Sequence, residues 1–467
     1  MSVLPPSPLL EQMLRVVARR YRLPAMADAS DPMRKAGAAT TLAMVIEQAR
    51  RGMVRGDAPD AALKALFIEA LARMIQEAMR EESGDAAFQA MVLRHWAAPV
   101  HEYASLHEQA GQDRRSIHAS VNAMAHPARQ QRIGPGRQRE YLAQLHASAS
   151  SSSWAELSDT ARRLLAMPEF THESSLERDL TRLLNSAALT RLRRLDTLAS
   201  DDLVRQYQTL WDQHGPRPGS LEAVSQGSAS QRRGAVVEAL AAQALEALAR
   251  RLNEAEGAQA SYRVVTSMRV PASIPASHER AKTEWDAVLL RQAKMADASA
   301  AWDVCLLVEA KASADAATTD LPRLRRGLRL LAHAEQNVDY AFEAQQGAVR
   351  LRGASLRTLA IDDTDLTRVV LYCCNAPAEA APRLLSAASR MQLLSAPASV
   401  EFASALAQKH TADPQDLEPV WHQLLESPRW AMVLHQYPTL LQARELMVHT
   451  DDLLAAIGKS EGGASID

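Results

Sequence analysis

An α/β core set inside a mostly α-helical chain is the fold class this sequence predicts, and three observations predict it. Apolar residues recur at helical spacing from Leu9 to about Trp211. A stretch rich in glycine, proline and serine, His214–Ser230, then interrupts that pattern. Beyond it a helical segment leads into short apolar or alternating runs of strand length, with helices between and after them. The expected division is an all-helical domain over 1–213, a linker over 214–230, the α/β core over 231–378 and a helical extension over 379–467.

Taken in order, the first helices are expected over Leu9–Tyr21, Ala38–Arg51, Ala61–Glu82, Ser153–Met167 and Leu176–Leu195. In the third of these, Leu63, Leu66, Phe67, Ala70, Leu71 and Met74 mark one buried face. Pro59, Pro99, Pro127 and the Gly134-Pro135-Gly136 turn separate the helices, and serine-rich Ala147–Ser153 reads as a connection. No fixed-period repeat stands out. After the linker come a helix at Arg232–Leu252, strands at Tyr262–Val270, Trp285–Leu290 and Val304–Lys311, a helix at Asp320–Gln346 and a strand at Val369–Cys374. Helices fill the rest, from Ala381 to about Ile457.

The chain of 467 residues is 47% hydrophobic and 23% charged, which suits two or three globular domains rather than a disordered or fibrous protein. A net charge of -2 supplies no global field for nucleic acid, so any such surface has to be local. Three cysteines, Cys305, Cys373 and Cys374, without metal-ligand spacing argue against a disulfide framework and a zinc finger. Met1–Arg15 does not read as a signal peptide, and no apolar run approaches the roughly 20 residues of a membrane span. The expected compartment is the cytoplasm, with no membrane partner. Neither H-E-x-x-H nor G-x-x-x-x-G-K-[ST] occurs, which disfavours a zincin and an ATP-driven helicase. Lysine is scarce, at only seven positions (35, 64, 282, 294, 311, 409 and 459), so a lysine beside acidic residues carries weight.

Such a lysine stands beside two acids. Trp285–Leu290 and Val304–Lys311 flank turn-rich Ala296–Ser299 and are expected to pair as an antiparallel hairpin. With Leu290 opposite Cys305, Asp286 falls opposite Glu309, and Lys311 points the same way as Glu309 because side chains alternate along a strand. Two carboxylates sharing a site repel, and a hard divalent cation relieves that repulsion. Such a cation can polarise a phosphodiester, and a nearby amine can orient water or stabilise developing charge. Asp303 lies six residues before Glu309, about 20 Å along the strand, and is excluded from the same site.

Asp286 followed by Glu309-Ala310-Lys311 resembles the D…(D/E)-x-K motif of the PD-(D/E)xK nuclease superfamily, the restriction-endonuclease-like fold. The resemblance covers Gly234 to Cys374, about a third of the chain, and implies an αβββαβ core with a mixed sheet. Trp285 stands where the family motif has proline. By resemblance, Asp286, Glu309 and the Ala310 carbonyl hold Mg²⁺ (or Mn²⁺), and Lys311 assists the attacking water. Glu238 resembles the glutamate that many members carry on the first core helix, with Glu246 as a competitor and a plain N-terminal helix carboxylate as the bland reading. Gln336 and Tyr340 resemble the Q-x-x-x-Y element of the RecB-like and Cas4-like branch, against an ordinary solvated helix face. Arg323, Arg325, Arg326 and Arg329 follow the motif and suit phosphate tracking, while Arg129, Arg132, Arg137 and Arg139 form a second basic cluster. Cys373 and Cys374 read as core.

The implied function is a metal-dependent nuclease acting preferentially on DNA, with the N-terminal helices open to a protein partner. The alternative is a catalytically silent module that keeps the fold as a nucleic-acid- or protein-binding scaffold.

Overall fold

A computed structural model describes residues 7–23, 36–57, 60–167, 175–215, 220–257, 260–293, 301–359, 366–379 and 382–459. The chain divides into two compact units. The first comprises Met1–Leu71, Pro218–Gln392 and Glu418–Asp467; the second comprises Ala72–Arg217 and Leu393–Leu417.

The first unit is built on a mixed seven-stranded sheet. Its strands are β1 (Tyr262–Arg269), β2 (Glu284–Gln292), β3 (Trp302–Ala310), β4 (Asp339–Phe342), β5 (Val349–Arg352), β6 (Val370–Cys374) and β7 (Met447–His449). β1, β2 and β3 are antiparallel neighbours. The far side of β3 is shared, since β5 meets it in parallel near its start, at Trp302, and β6 pairs in parallel with Leu307–Ala310 at its end. β7 extends the sheet in parallel beyond β6, and β4 pairs antiparallel with β5.

Strands covered on both faces need apolar residues at nearly every position, which is why β2, β3 and β6 read as continuous apolar runs. Val288, Leu290, Leu307, Val370, Tyr372 and Cys374 enter one core layer with Leu321, Leu324, Leu328 and Leu331 of the helix Ala314–Ala332. Ala287, Leu289, Leu306, Val308, Leu371 and Cys373 enter the other with Ala241, Leu245, Leu248 and Leu252 of the helix Leu221–Glu256. The adjacent cysteines therefore face opposite layers, both as core residues.

Several boundaries differ from expectation. The first residues belong with the sheet: Leu10, Met13 and Val17 pack in the second layer, and the Tyr21 hydroxyl donates to the Ala376 carbonyl at 2.5 Å. The expected linker 214–230 is helical from Leu221, because the helix is 36 residues long and begins at the Ser220 cap, whose Oγ accepts from Ala223 N at 3.1 Å. Extending an anchored helix costs far less than starting one, so Gly227 and the serines are tolerated. The helix expected over Asp320–Gln346 starts earlier, at the Ser313 cap, and ends at Ala332. Pro322 lies inside the helix. Beyond it, Tyr340 and Phe342 alternate with exposed Ala341 at the strand period. β7 interrupts the helices of the C-terminal segment.

The second unit is helical throughout its described residues, around a core that includes Leu93, Val100, Ile117, Leu145, Trp154, Leu164, Leu189 and Leu192. The expected helix Leu176–Leu195 is two, Ser175–Leu184 and Ala187–Ala199, and the serine-rich Ala147–Ser153 is helical through Ser150. Of the second basic cluster, Arg129 sits in a short helix, Arg132 lies in the loop after it, and Arg137 and Arg139 open the helix Arg137–Ser150. Among the described residues no helix is long and apolar enough to cross a membrane.

Candidate functional site

β2 and β3 position the acidic residues. Ala287 pairs with Val308, Val288 with Leu307 and Leu289 with Leu306, which is the expected register. Carried one residue on, it sets Asp286 opposite Glu309. Leu290 pairs with Val304 rather than with Cys305, because the ladder shifts between Leu289 and Leu290. The extra residue at Cys305 is a β-bulge. It spoils the expected Leu290–Cys305 pair yet leaves the acid end in register. The expected turn at Ala296–Ser299 lies outside the described residues. At the acid end, Asp286 Oδ2 accepts a hydrogen bond from Ala310 N at 2.8 Å, which ties the two strand ends together.

Glu309 is fully buried. Its Oε2 receives two amines, Lys282 Nζ and, at 3.2 Å, Lys311 Nζ. Its Oε1 is buried with no hydrogen-bond partner among the described residues. Desolvation, and then the charge of Asp286, push the Glu309 carboxyl up to about 8, against the pull of Lys282 and Lys311. Lys311 also lies 3.4 Å from Asp320 Oδ2, and the Tyr372 hydroxyl lies 3.3 Å from the same oxygen. Burial works against the Lys311 charge, but Glu309, Asp320 and Asp286 outweigh it and hold the amine above its ordinary range. It is therefore a proton-bearing cation at neutral pH, suited to donating hydrogen bonds.

Glu238 is exposed on the long helix, not buried on an apolar face as its neighbours in the sequence suggest. The helix starts at Leu221, so Glu238 sits about five turns inside it, beyond reach of the terminal dipole. Partial desolvation and the charge of Asp286 raise its pKa, with Lys311 pulling the other way, so Glu238 senses the hairpin site. Glu246 is two turns further along, about 12 Å.

Lys282, Asp320 and Tyr372 belong to the cluster and were not among the expected residues. Lysine scarcity is the one sequence signal that points to Lys282. Asp320 and Tyr372 arrive through the helix Ala314–Ala332 and β6, and nothing local marks them.

Other expected residues fall elsewhere. Gln336 is exposed in a loop and Tyr340 is on β4, so neither is on a helix. Tyr340 is buried, with its hydroxyl accepting from Glu335 N at 2.9 Å. It pairs with Leu351, which meets β3 at Trp302, seven residues or about 23 Å from Glu309. Tyr340 is thereby removed from the site, and Gln336 lacks the helix the resemblance implies for it. Asp303 forms a buried pair with Arg352, whose Nε lies 2.7 Å from its Oδ1. Arg323, Arg326 and Arg329 are exposed along one helix stripe, whereas half-buried Arg325 donates to Gln442. Arg326 Nε donates to the Arg280 carbonyl at 2.8 Å.

Among the described residues, no group of three or more His, Cys, Asp or Glu side chains stands ready to hold a metal ion. The donor set around Asp286 is smaller: two carboxylates and the neighbouring Ala310 backbone. The orphaned Glu309 Oε1, buried beside a second carboxylate, is nonetheless an acceptor in want of a cation, so these residues fit a hard divalent ion. No family model, curated protein or solved structure matches this chain.

Proposed function

We propose that the chain is a metal-dependent phosphodiester hydrolase, a nuclease acting preferentially on DNA. The observation that carries the reading is Glu309, a fully buried carboxylate beside Asp286 and within reach of Lys311, with one oxygen unpartnered among the described residues. Supporting it is the order helix, three antiparallel strands, helix and parallel strand β6, which follows the αβββαβ arrangement implied by the sequence resemblance with the β4–β5 pair and a short helix inserted before β6.

In this reading Asp286 and Glu309, with the Ala310 carbonyl, hold Mg²⁺ or Mn²⁺, and Glu238 approaches from the helix. The bound ion would supply Lewis-acid polarisation of the scissile phosphate. Lys311, protonated and anchored between Glu309 and Asp320, donates to the attacking water or the charge developing on the phosphate. Hydrolysis forms one P–O bond to water and breaks one to the leaving sugar oxygen. Exposed Arg323 and Arg329, with the terminal nitrogens of Arg326, would face the phosphate backbone. The helical unit is left to a protein partner, and the compartment proposed is the cytoplasm.

The test is cleavage of plasmid and single-stranded DNA with Mg²⁺ or Mn²⁺. Asp286→Asn and Lys311→Ala are expected to lose activity by at least about 100-fold. Parental rates in both variants would refute the assignment.

One observation favours a second reading, a catalytically silent scaffold. Lys282 and Lys311 already neutralise Glu309 without any metal. A scaffold would show no Mn²⁺ binding that depends on Asp286.

A further inference from the structure

Lys282 stands out because the fold is shaped to bring it to Glu309. It ends the loop between β1 and β2, where Val270 N donates to the Thr283 carbonyl at 2.8 Å and closes the loop base. Its own N–H donates to the Arg323 carbonyl at 3.2 Å, fastening it to the helix Ala314–Ala332. The seat on that helix is Gly327. A Cβ there would come within 2.8 Å of both the Lys282 Cβ and its carbonyl oxygen. Only a glycine permits this approach. The amine passes 6.0 Å from the Trp285 ring centroid and ends on Glu309 Oε2, with only 5% of the residue exposed.

A buried lysine is costly to desolvate unless its partner needs it. Both amines fall on the same oxygen, Oε2, which Lys311 already pairs, so a second, separately seated amine has a use beyond pairing. We infer that Lys282 is a resident stand-in cation: it holds Glu309 in place when no metal is bound, and a divalent ion displaces it from the carboxylate. This rests on the metal-site reading above. The exchange lets the site be built and buried before metal arrives, and it sets the affinity at which metal enters. In that role Lys282 is a positioning residue that acts through Glu309.

The sign of the effect follows from charge. Lys282 repels an incoming divalent ion and competes with it for Glu309. A doubly charged ion feels that repulsion twice as strongly as a proton competing for the same carboxylate. Lys282→Met should therefore bind Mn²⁺ about tenfold more tightly than the parent at pH 7.5 in a calorimetric titration, while melting at lower temperature in EDTA. Lys282→Arg, which keeps the charge, should stay near the parental affinity. Unchanged or weaker Mn²⁺ binding by a folded Lys282→Met protein overturns the inference.

The parent chain offers a second measurement that needs no variant. An amine-acylating pulse read by mass spectrometry resolves seven lysines. Saturating Mn²⁺ should speed modification of Lys282 several-fold and leave exposed Lys409 unchanged. A Lys282 rate indifferent to Mn²⁺ overturns the exchange. If Mn²⁺ binds, and Asp286→Asn abolishes it, but Lys282 is unaffected in both experiments, the metal site stands and this inference alone falls. If the parent binds no Mn²⁺, both fall.

Discussion

Glu309→Gln isolates the electrostatic cost of the site from its chemistry, because glutamine keeps the shape and removes the charge. Glu309 is raised from 4.5 to about 8 in the folded chain. A carboxyl whose folded pKa lies above its unfolded value binds more protons when folded. Its stabilising contribution is therefore complete below about pH 4.5 and is lost as pH rises through about 8. Each unit is worth about 1.4 kcal/mol, so the full window amounts to something on the order of 5 kcal/mol. The glutamine variant has no such group. Relative to the parent, its stability should rise with pH across this window, steepest between pH 5 and 8, and level off above about 8.5. Losing the pairing with Lys282 and Lys311 adds a separate offset. The readout is thus the pH dependence of the difference in unfolding free energy, not its value at one pH. Urea titrations of both proteins in EDTA at pH 5, 6.5, 8 and 9 measure it. A difference that is flat from pH 5 to 9 would mean that Glu309 ionises normally, and the account of a strained buried carboxylate would be wrong.

Three further outcomes are expected. Gly327→Ala forces a Cβ against Lys282 and should cost about 1–3 kcal/mol in urea unfolding; a neutral result would mean that the loop is not seated on the helix. Asp303→Ala strands the buried Arg352 guanidinium and should cost about 3–5 kcal/mol, while the DNA cleavage rate per folded molecule stays parental because Asp303 lies at the other end of β3. Tyr340→Phe removes the acceptor for Glu335 N and should cost about 0.5–1.5 kcal/mol without changing DNA affinity; weakened DNA binding would restore Tyr340 to the interface.

How much of this was legible in the sequence depends on whether the signal was local. β2 and β3 were, since buried strands must be apolar at nearly every position, and the two acids at their end broke that rule. The register of the acid end is legible too, although the expected Leu290–Cys305 pair falls where the bulge lies. A bulge has no signature in side-chain type here, because Cys305 and its neighbours are all apolar. The length of the helix Leu221–Glu256 was hidden for a different reason. Its first half is largely exposed, so polar and glycine residues there obey no amphipathic pattern, and helicity propagates from the packed half. β7 is three residues long, below any period, and exists only because β6 offers it an edge.

The site's missing members share the same logic. Lys282 and Asp320 come from a loop and a helix that meet only in the folded unit; lysine scarcity points to the first, and nothing local marks the second. What joins them is charge balance. Glu238, Asp286, Glu309 and Asp320 are four carboxylates, and Lys282 and Lys311 are two amines, so the fully ionised cluster carries a net charge of minus two. In the metal-free chain the raised Glu309 shows where part of that excess is absorbed, as a bound proton. A single divalent ion would offset the full charge of the ionised cluster, whereas a monovalent ion would leave it at minus one. On the proposed metal reading, that sum is what draws a cation to the cluster. It also makes Lys282→Met the most informative substitution. Removing that amine takes the cluster to minus three, and whatever cation the site selects must then bind more tightly.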